Sequence, residues 1–250
     1  CDKNMNILRD YSWIGGTTSL IDQFLKLFQE SNDPQYLNLS IKYGNYLLKQ
    51  LDEANKIIGG FSHGVSSIAL VLIKLGKVIN NKSFITKGEE LLDYDRSLFH
   101  SHEKGWIDKT EEKKQTFKYH WCHGSVGIGL SRIELSKFYD DNVLEDEIIS
   151  SITSTLYNGY SSNDCLCHGN MGKTELFLSM YEKTGDLKYL NIAKNFGLEV
   201  IKMAKKNGRY QDRSIPGFPS IGIFTGIAGI GYQFLRIADV KKIPSILTLA

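Results

Sequence analysis

Apolar and polar positions follow two alternating patterns along this chain. One kind of segment is apolar on nearly all sides, as in Ile68, Leu70, Val71, Leu72, Ile73 and Leu75. A helix of that kind is buried all round. The other kind is amphipathic: Leu187, Leu190, Ala193, Val200 and Met203 fall near helical spacing, with Lys188, Lys194 and Lys202 between them. Start and stop signals bound the amphipathic segments. Asp33 followed by Pro34 is an N-cap with proline in the first turn, Asp186 is a similar cap, and Gly208 is a C-terminal stop. Strand signals are weak throughout.

The alternation is a repeat. Gly15–Lys49 aligns without a gap on His168–Lys202, matching Phe24 with Phe177, Asp33 with Asp186, Tyr36 with Tyr189 and Gly44 with Gly197. Further copies begin at His63, His123 and Thr225, with second halves near Asn81, Asp141 and Pro244, so the chain holds five helical hairpins. Buried first helices alternating with half-exposed second helices predict an all-α protein, an α/α toroid. Each first helix opens on a small-residue motif, Gly-x-x-(Gly/Ser), which permits close packing of helix ends or a tight turn. Residues 102–120 and 207–221 break the rhythm and are expected as loops entering the mouth of the barrel.

Composition narrows the function. The 250 residues, 42% of them hydrophobic, read as one domain spanning 1–250. The net charge of +2 gives no reason to expect a nucleic-acid partner. There is no apolar run of membrane-spanning length and no secretory signal. Four cysteines in a domain of this size, two beside histidine, suit metal ligation in a reducing, cytoplasmic compartment better than disulfides. A chain that begins at Cys1 is expected to be part of something longer.

The chemistry concentrates where the first helices begin. The residues directly before the motif glycines are Gly15, His63, His123, His168 and Thr225, and those one earlier are Ile14, Ser62, Cys122, Cys167 and Phe224. Two thiols and an imidazole, from Cys122, Cys167 and His168, suit zinc. Spacing alone leaves three readings: a catalytic site with an open fourth position, a structural site closed by Cys165 or His123, and buried cysteines that pack as small hydrophobes.

At these residues the sequence resembles the lanthionine synthetase C-like family, the cyclases of lanthipeptide biosynthesis. The resemblance rests on "GFSHGVSS", "WCHGSVGIGLSRI", "CLCHGNMGKTEL" and "GIFTGIAGIGYQFLRIADVKKIPSIL", and it covers nearly the whole chain. It implies a zinc ion on Cys122, Cys167 and His168 with water in the fourth place, and His63 as catalytic acid/base. It implies a dehydrated precursor peptide as substrate. A peptide cysteine would add to dehydroalanine or dehydrobutyrine in the same chain, giving a (methyl)lanthionine thioether.

Three departures stand out. Lys118 occupies the place of the family's usual arginine, keeping the charge but losing the bidentate fork. Nearby His120 could share that work, although a solvent-facing loop residue is its plainer reading. The family's usual aspartate aligns with Ser12, so Asp10 would have to take its role after a local shift. The family toroid has seven hairpins, which implies a missing N-terminal part, from a stand-alone cyclase or from a protein that also carries a dehydratase domain; the other reading is a naturally short barrel closed by a partner chain. The alternative function is a non-catalytic module that binds zinc and thiols or peptides. A glycan-processing α/α barrel ranks last, because Asp108, Glu111, Glu112 and Asp164 read as solvated charges rather than paired acids.

Overall fold

The computed structural model describes residues 11–52, 58–109, 116–212 and 220–249. Its helices are α1 (Thr17–Ser31), α2 (Pro34–Asp52), α3 (Val65–Val78), α4 (Lys82–Ser97), α5 (Ser125–Leu135), α6 (Leu144–Asn158), α7 (Asn170–Thr184), α8 (Leu187–Asn207) and α9 (Ile227–Ala238). Four antiparallel hairpins, α1–α2, α3–α4, α5–α6 and α7–α8, form the outer and inner layers. The inner helices α1, α3, α5, α7 and α9 pack each against the next, which is the α/α toroid the periodicity predicts.

The pattern explains the layers. In α3, every residue from Val65 to Ile73 is buried, and α5 is buried along nearly its whole length. Each Leu or Ile so placed contributes about 1.5–3 kcal/mol over leaving it in water. The outer helices bury one stripe, as α8 does with Ala193, Gly197 and Val200. The expected caps at Asp33 and Asp186 form, and Asn81 supplies a third. Asp33 Oδ1 accepts from the Gln35 N–H at 2.9 Å, Asn81 Oδ1 from Ser83 at 2.9 Å, and Asp186 Oδ1 from Lys188 at 2.9 Å. Gly208 ends α8 with φ 72°.

Polar side chains also hold the layers together. Arg132 of α5 is fully buried, bonded to Asp95 of α4 at 2.8 Å and to Glu147 of α6 at 3.2 Å. Asp95 also accepts from Ser66 in the first turn of α3 at 2.6 Å. Two neighbouring hairpins are thereby locked through one guanidinium.

Three expectations need correction. The stretch expected as a loop at 102–120 carries part of a small antiparallel sheet, β1 (Phe99–His100), β2 (Gly105–Asp108) and β3 (Thr116–Phe117), in that order. Strands of two to four residues are too short for alternation to register in the sequence. Asp108 and Asp164 are buried rather than solvated, while Glu111 and Glu112 lie outside the described residues. Asp164 ties the segment before α7 to residue 211, accepting from Asn170 Nδ2 at 2.9 Å and from the Gln211 N–H at 2.9 Å. The fifth unit has no second helix in its described residues. Beyond Asp239 the chain turns, and Pro244 removes a backbone donor there. The stretch then runs inward, burying Ser245, Leu247 and Thr248, and Lys26 of α1 donates to the carbonyls of Thr248 and Leu249. The C-terminal stretch thus meets the first inner helix. No helix among the described residues is long and apolar enough to cross a membrane.

Candidate metal centre

The residues that precede the inner helices form a hydrogen-bonded collar. The Cys167 N–H donates to the Phe224 carbonyl at 2.8 Å, and Cys122 N–H to Cys167 O at 3.3 Å. Phe61 and Ser62 N–H groups both donate to Cys122 O at 3.2 Å, and Trp13 N–H to Ser62 O at 2.9 Å. Each repeat therefore hangs from the next by its backbone, and the side chains of equivalent positions are carried to one end of the toroid.

An aromatic layer lies beside the collar, built from the residue one place earlier in the first three repeats. Trp13 meets Phe61 with ring centroids 4.9 Å apart, and Phe61 meets Trp121 at 6.0 Å. Trp121 in turn stacks on Phe224 at 5.3 Å with planes only 1° apart. Such pairs contribute about 0.5–1.5 kcal/mol each beyond area burial. Glycine is required where the collar is tightest. Gly60 has φ 97°, and a Cβ there would lie 2.9 Å from both the Cys122 carbonyl oxygen and the His123 Cα. Gly124 caps α5 with φ 118°, and a side chain there would meet the Lys118 carbonyl.

On this collar Cys122, Cys167 and His168 converge, with one ligand atom from each lying within 4.8 Å of the others. Ideal tetrahedral zinc holds sulfurs about 3.8 Å apart, given Zn–S bonds of about 2.3 Å. The observed spacing is within about 1 Å of that value, and two thiols with an imidazole suit a metal ion of zinc's softness. The electrostatics agree. Hydrogen bonding to Cys167, then to His120 and His168, and the nearby charge of His123 hold the Cys122 thiol well below the ordinary thiol range, against the opposing effect of burial. The N-termini of α5 and α7 face the same end and favour a thiolate further. Cys122, Cys165 and Cys167 carry no disulfide.

The remaining candidates divide. His63 is exposed at the mouth and stacks on His123, ring centroids 5.9 Å apart. Lys118 is half-buried, its carbonyl accepting from the Ser125 N–H at 3.3 Å. Neither Cys165, which is fully buried, nor His123 belongs to the donor group. Ser12 is buried next to Trp13, and Asp10 lies outside the described residues. His120 is not a solvent-facing residue: it is half-buried, in hydrogen-bonding contact with the Cys122 sulfur, and its ring centroid is 5.8 Å from that of His168.

The model of the family described as lanthionine synthetase C-like protein matches residues 1–248. The chain belongs to this family. Among curated LanC-like relatives, the lacticin 481/lactococcin biosynthesis protein LcnDR2 of Lactococcus lactis subsp. lactis is 29% identical over 212 residues, covering 78% of the chain and 22% of that protein. Glutathione S-transferase LANCL1 of Danio rerio is 29% identical over 179 residues, covering 69% of the chain and 41% of its own length. The chain therefore spans well under half of the length of either relative. Among solved structures, nisin cyclase superposes with a TM-score of 0.73 at 17% identity, over 96% of the chain and 67% of nisin cyclase. D-mannose isomerase superposes with a TM-score of 0.54 at 12% identity, over 72% of the chain and 56% of its own. At such identities these likenesses speak to the α/α toroid alone.

Proposed function

We propose that this LanC-like chain is a zinc-dependent cyclase that forms thioether rings in a dehydrated precursor peptide. The observation that carries the reading is the meeting of Cys122, Cys167 and His168 at one mouth of the toroid, with His63 exposed beside them. Those three residues would hold the zinc ion, which supplies Lewis acidity that lowers the pKa of a substrate thiol from its ordinary value of about 8.5.

The protein's own groups do the rest. The S–H bond of a peptide cysteine breaks and its sulfur bonds to the β-carbon of dehydroalanine or dehydrobutyrine, while the double-bond electrons move to the α-carbon and carbonyl. His63, open to solvent at the mouth, delivers a proton to the α-carbon. The cationic Lys118 side chain offsets negative charge that develops on the carbonyl oxygen. One proton leaves sulfur and one arrives at carbon, so no oxidant or reductant is needed.

The 250 residues act as one cyclase domain in the cytoplasm, and further hairpins complete the ring. Exposed Ile223, Ile227 and Leu235 at the α9 edge are the surface for their packing, which accords with the chain covering only 67% of nisin cyclase. The test is zinc-loaded protein mixed with a panel of dehydrated precursor peptides, with free thiols counted by alkylation and mass spectrometry. Thiols should disappear without change in peptide mass, and Cys122→Ala should abolish the effect. A zinc-loaded protein that leaves every thiol free across the panel would instead establish a binding module.

A further inference from the structure

His120 stands apart from the three donors yet touches them. Its carbonyl accepts from the Gly127 N–H at 3.3 Å, which fixes it to the first turn of α5. Its imidazole hydrogen-bonds the Cys122 sulfur and packs near His168, with the ring planes at 54°. It does not belong to the group whose ligand atoms all lie within 4.8 Å of one another.

We propose that His120 is a positioning residue that donates an N–H to the Cys122 sulfur from outside the metal's ligand shell. The inference rests on the zinc reading above. Two thiolates cancel the formal charge of a divalent ion and weaken its pull on an incoming thiol. A donor on one thiolate draws electron density away from the metal and restores part of that pull; outer partners of this kind are worth about 10–100-fold in metal affinity or activity. The bond also fixes the Cys122 side chain in the orientation that faces Cys167 and His168.

The experiment compares parent, His120→Ala, His120→Asn and His120→Gln by zinc competition with a chromophoric chelator and by optical spectra of the cobalt-substituted proteins. His120→Ala should bind zinc about 10–100-fold more weakly. Its thiolate-to-cobalt charge-transfer band should move to lower energy, with tetrahedral d–d bands retained. At least one of the amide variants, which replace the N–H donor, should recover the band position. Unchanged affinity and spectrum in His120→Ala overturns the proposal while leaving the metal site intact. Loss of one nitrogen ligand in the variant's X-ray absorption spectrum also overturns it, by making His120 a direct ligand. A parent that takes up neither zinc nor cobalt brings down the cyclase reading, and this inference with it.

Discussion

Gly60→Ala should damage the candidate metal centre although Gly60 donates nothing to it. Its φ of 97° lies where an L side chain is strained, at a cost of about 1–3 kcal/mol. The new Cβ would stand 2.9 Å from the Cys122 carbonyl oxygen and 2.9 Å from the His123 Cα, and ordinary contact begins at 3.4 Å. The neighbour is backbone, so about half an ångström of movement must come from the collar itself, adding about 1–3 kcal/mol. The same Cys122 carbonyl accepts from both Phe61 and Ser62, so the shift loosens those bonds and displaces the thiol from Cys167 and His168. A total near 2–6 kcal/mol corresponds to a fall in Tm of roughly 4–24 °C for a protein of this size. Thermal melts and zinc competition measure both consequences, with affinity expected to fall at least 10-fold, in keeping with losses of about 10–100-fold when support of a ligand is removed. Gly231→Ala is the control, because a Cβ at that position of α9 would meet no neighbouring element within 4 Å, and this variant should melt no lower than the parent. A Gly60→Ala protein that melts and binds zinc like the parent refutes the idea that the collar sets the geometry.

Cys122→Ser, Cys167→Ser and His168→Ala should each abolish tight zinc binding, whereas Cys165→Ala should keep it, as metal analysis after dialysis will show. Arg132→Ala leaves Asp95 buried without its cation, while Glu147 keeps Arg96, and should lose about 3–5 kcal/mol in denaturant titrations, the range for a broken buried pair. Burial lowers the Lys173 ammonium to about 8. Between that pH and the ordinary lysine value of 10.5, the unfolded chain binds more protons than the folded one, so the stability tied to this residue rises with pH. Urea titrations of parent and Lys173→Met at pH 7.5 and 9.5 should therefore move in the parent's favour at the higher pH, and a constant difference would refute the shift.

The repeat register made the candidate donor group legible. Cys122 and Cys167 occupy equivalent positions and His168 the slot directly after, and equivalence in a ring means proximity at its mouth. The same logic brought His63 to that end. What escaped depends on contacts between repeats. His120 precedes the repeated slots, and its approach to Cys122 depends on the local chain path, which no spacing rule encodes. Arg132, Asp95 and Glu147 look like surface charges on helices, and only their shared neighbourhood makes them a buried network. The inward run after Pro244 had no helical period to announce it; its buried Leu247 reveals itself through packing against distant residues.

The row of rings from Trp13 to Phe224 runs from the first repeat to the fifth, with Trp13, Phe61 and Trp121 buried. Closely packed rings in series cannot shift singly. A change of volume at one of them is passed along the row, so segments more than two hundred residues apart in the chain move as one.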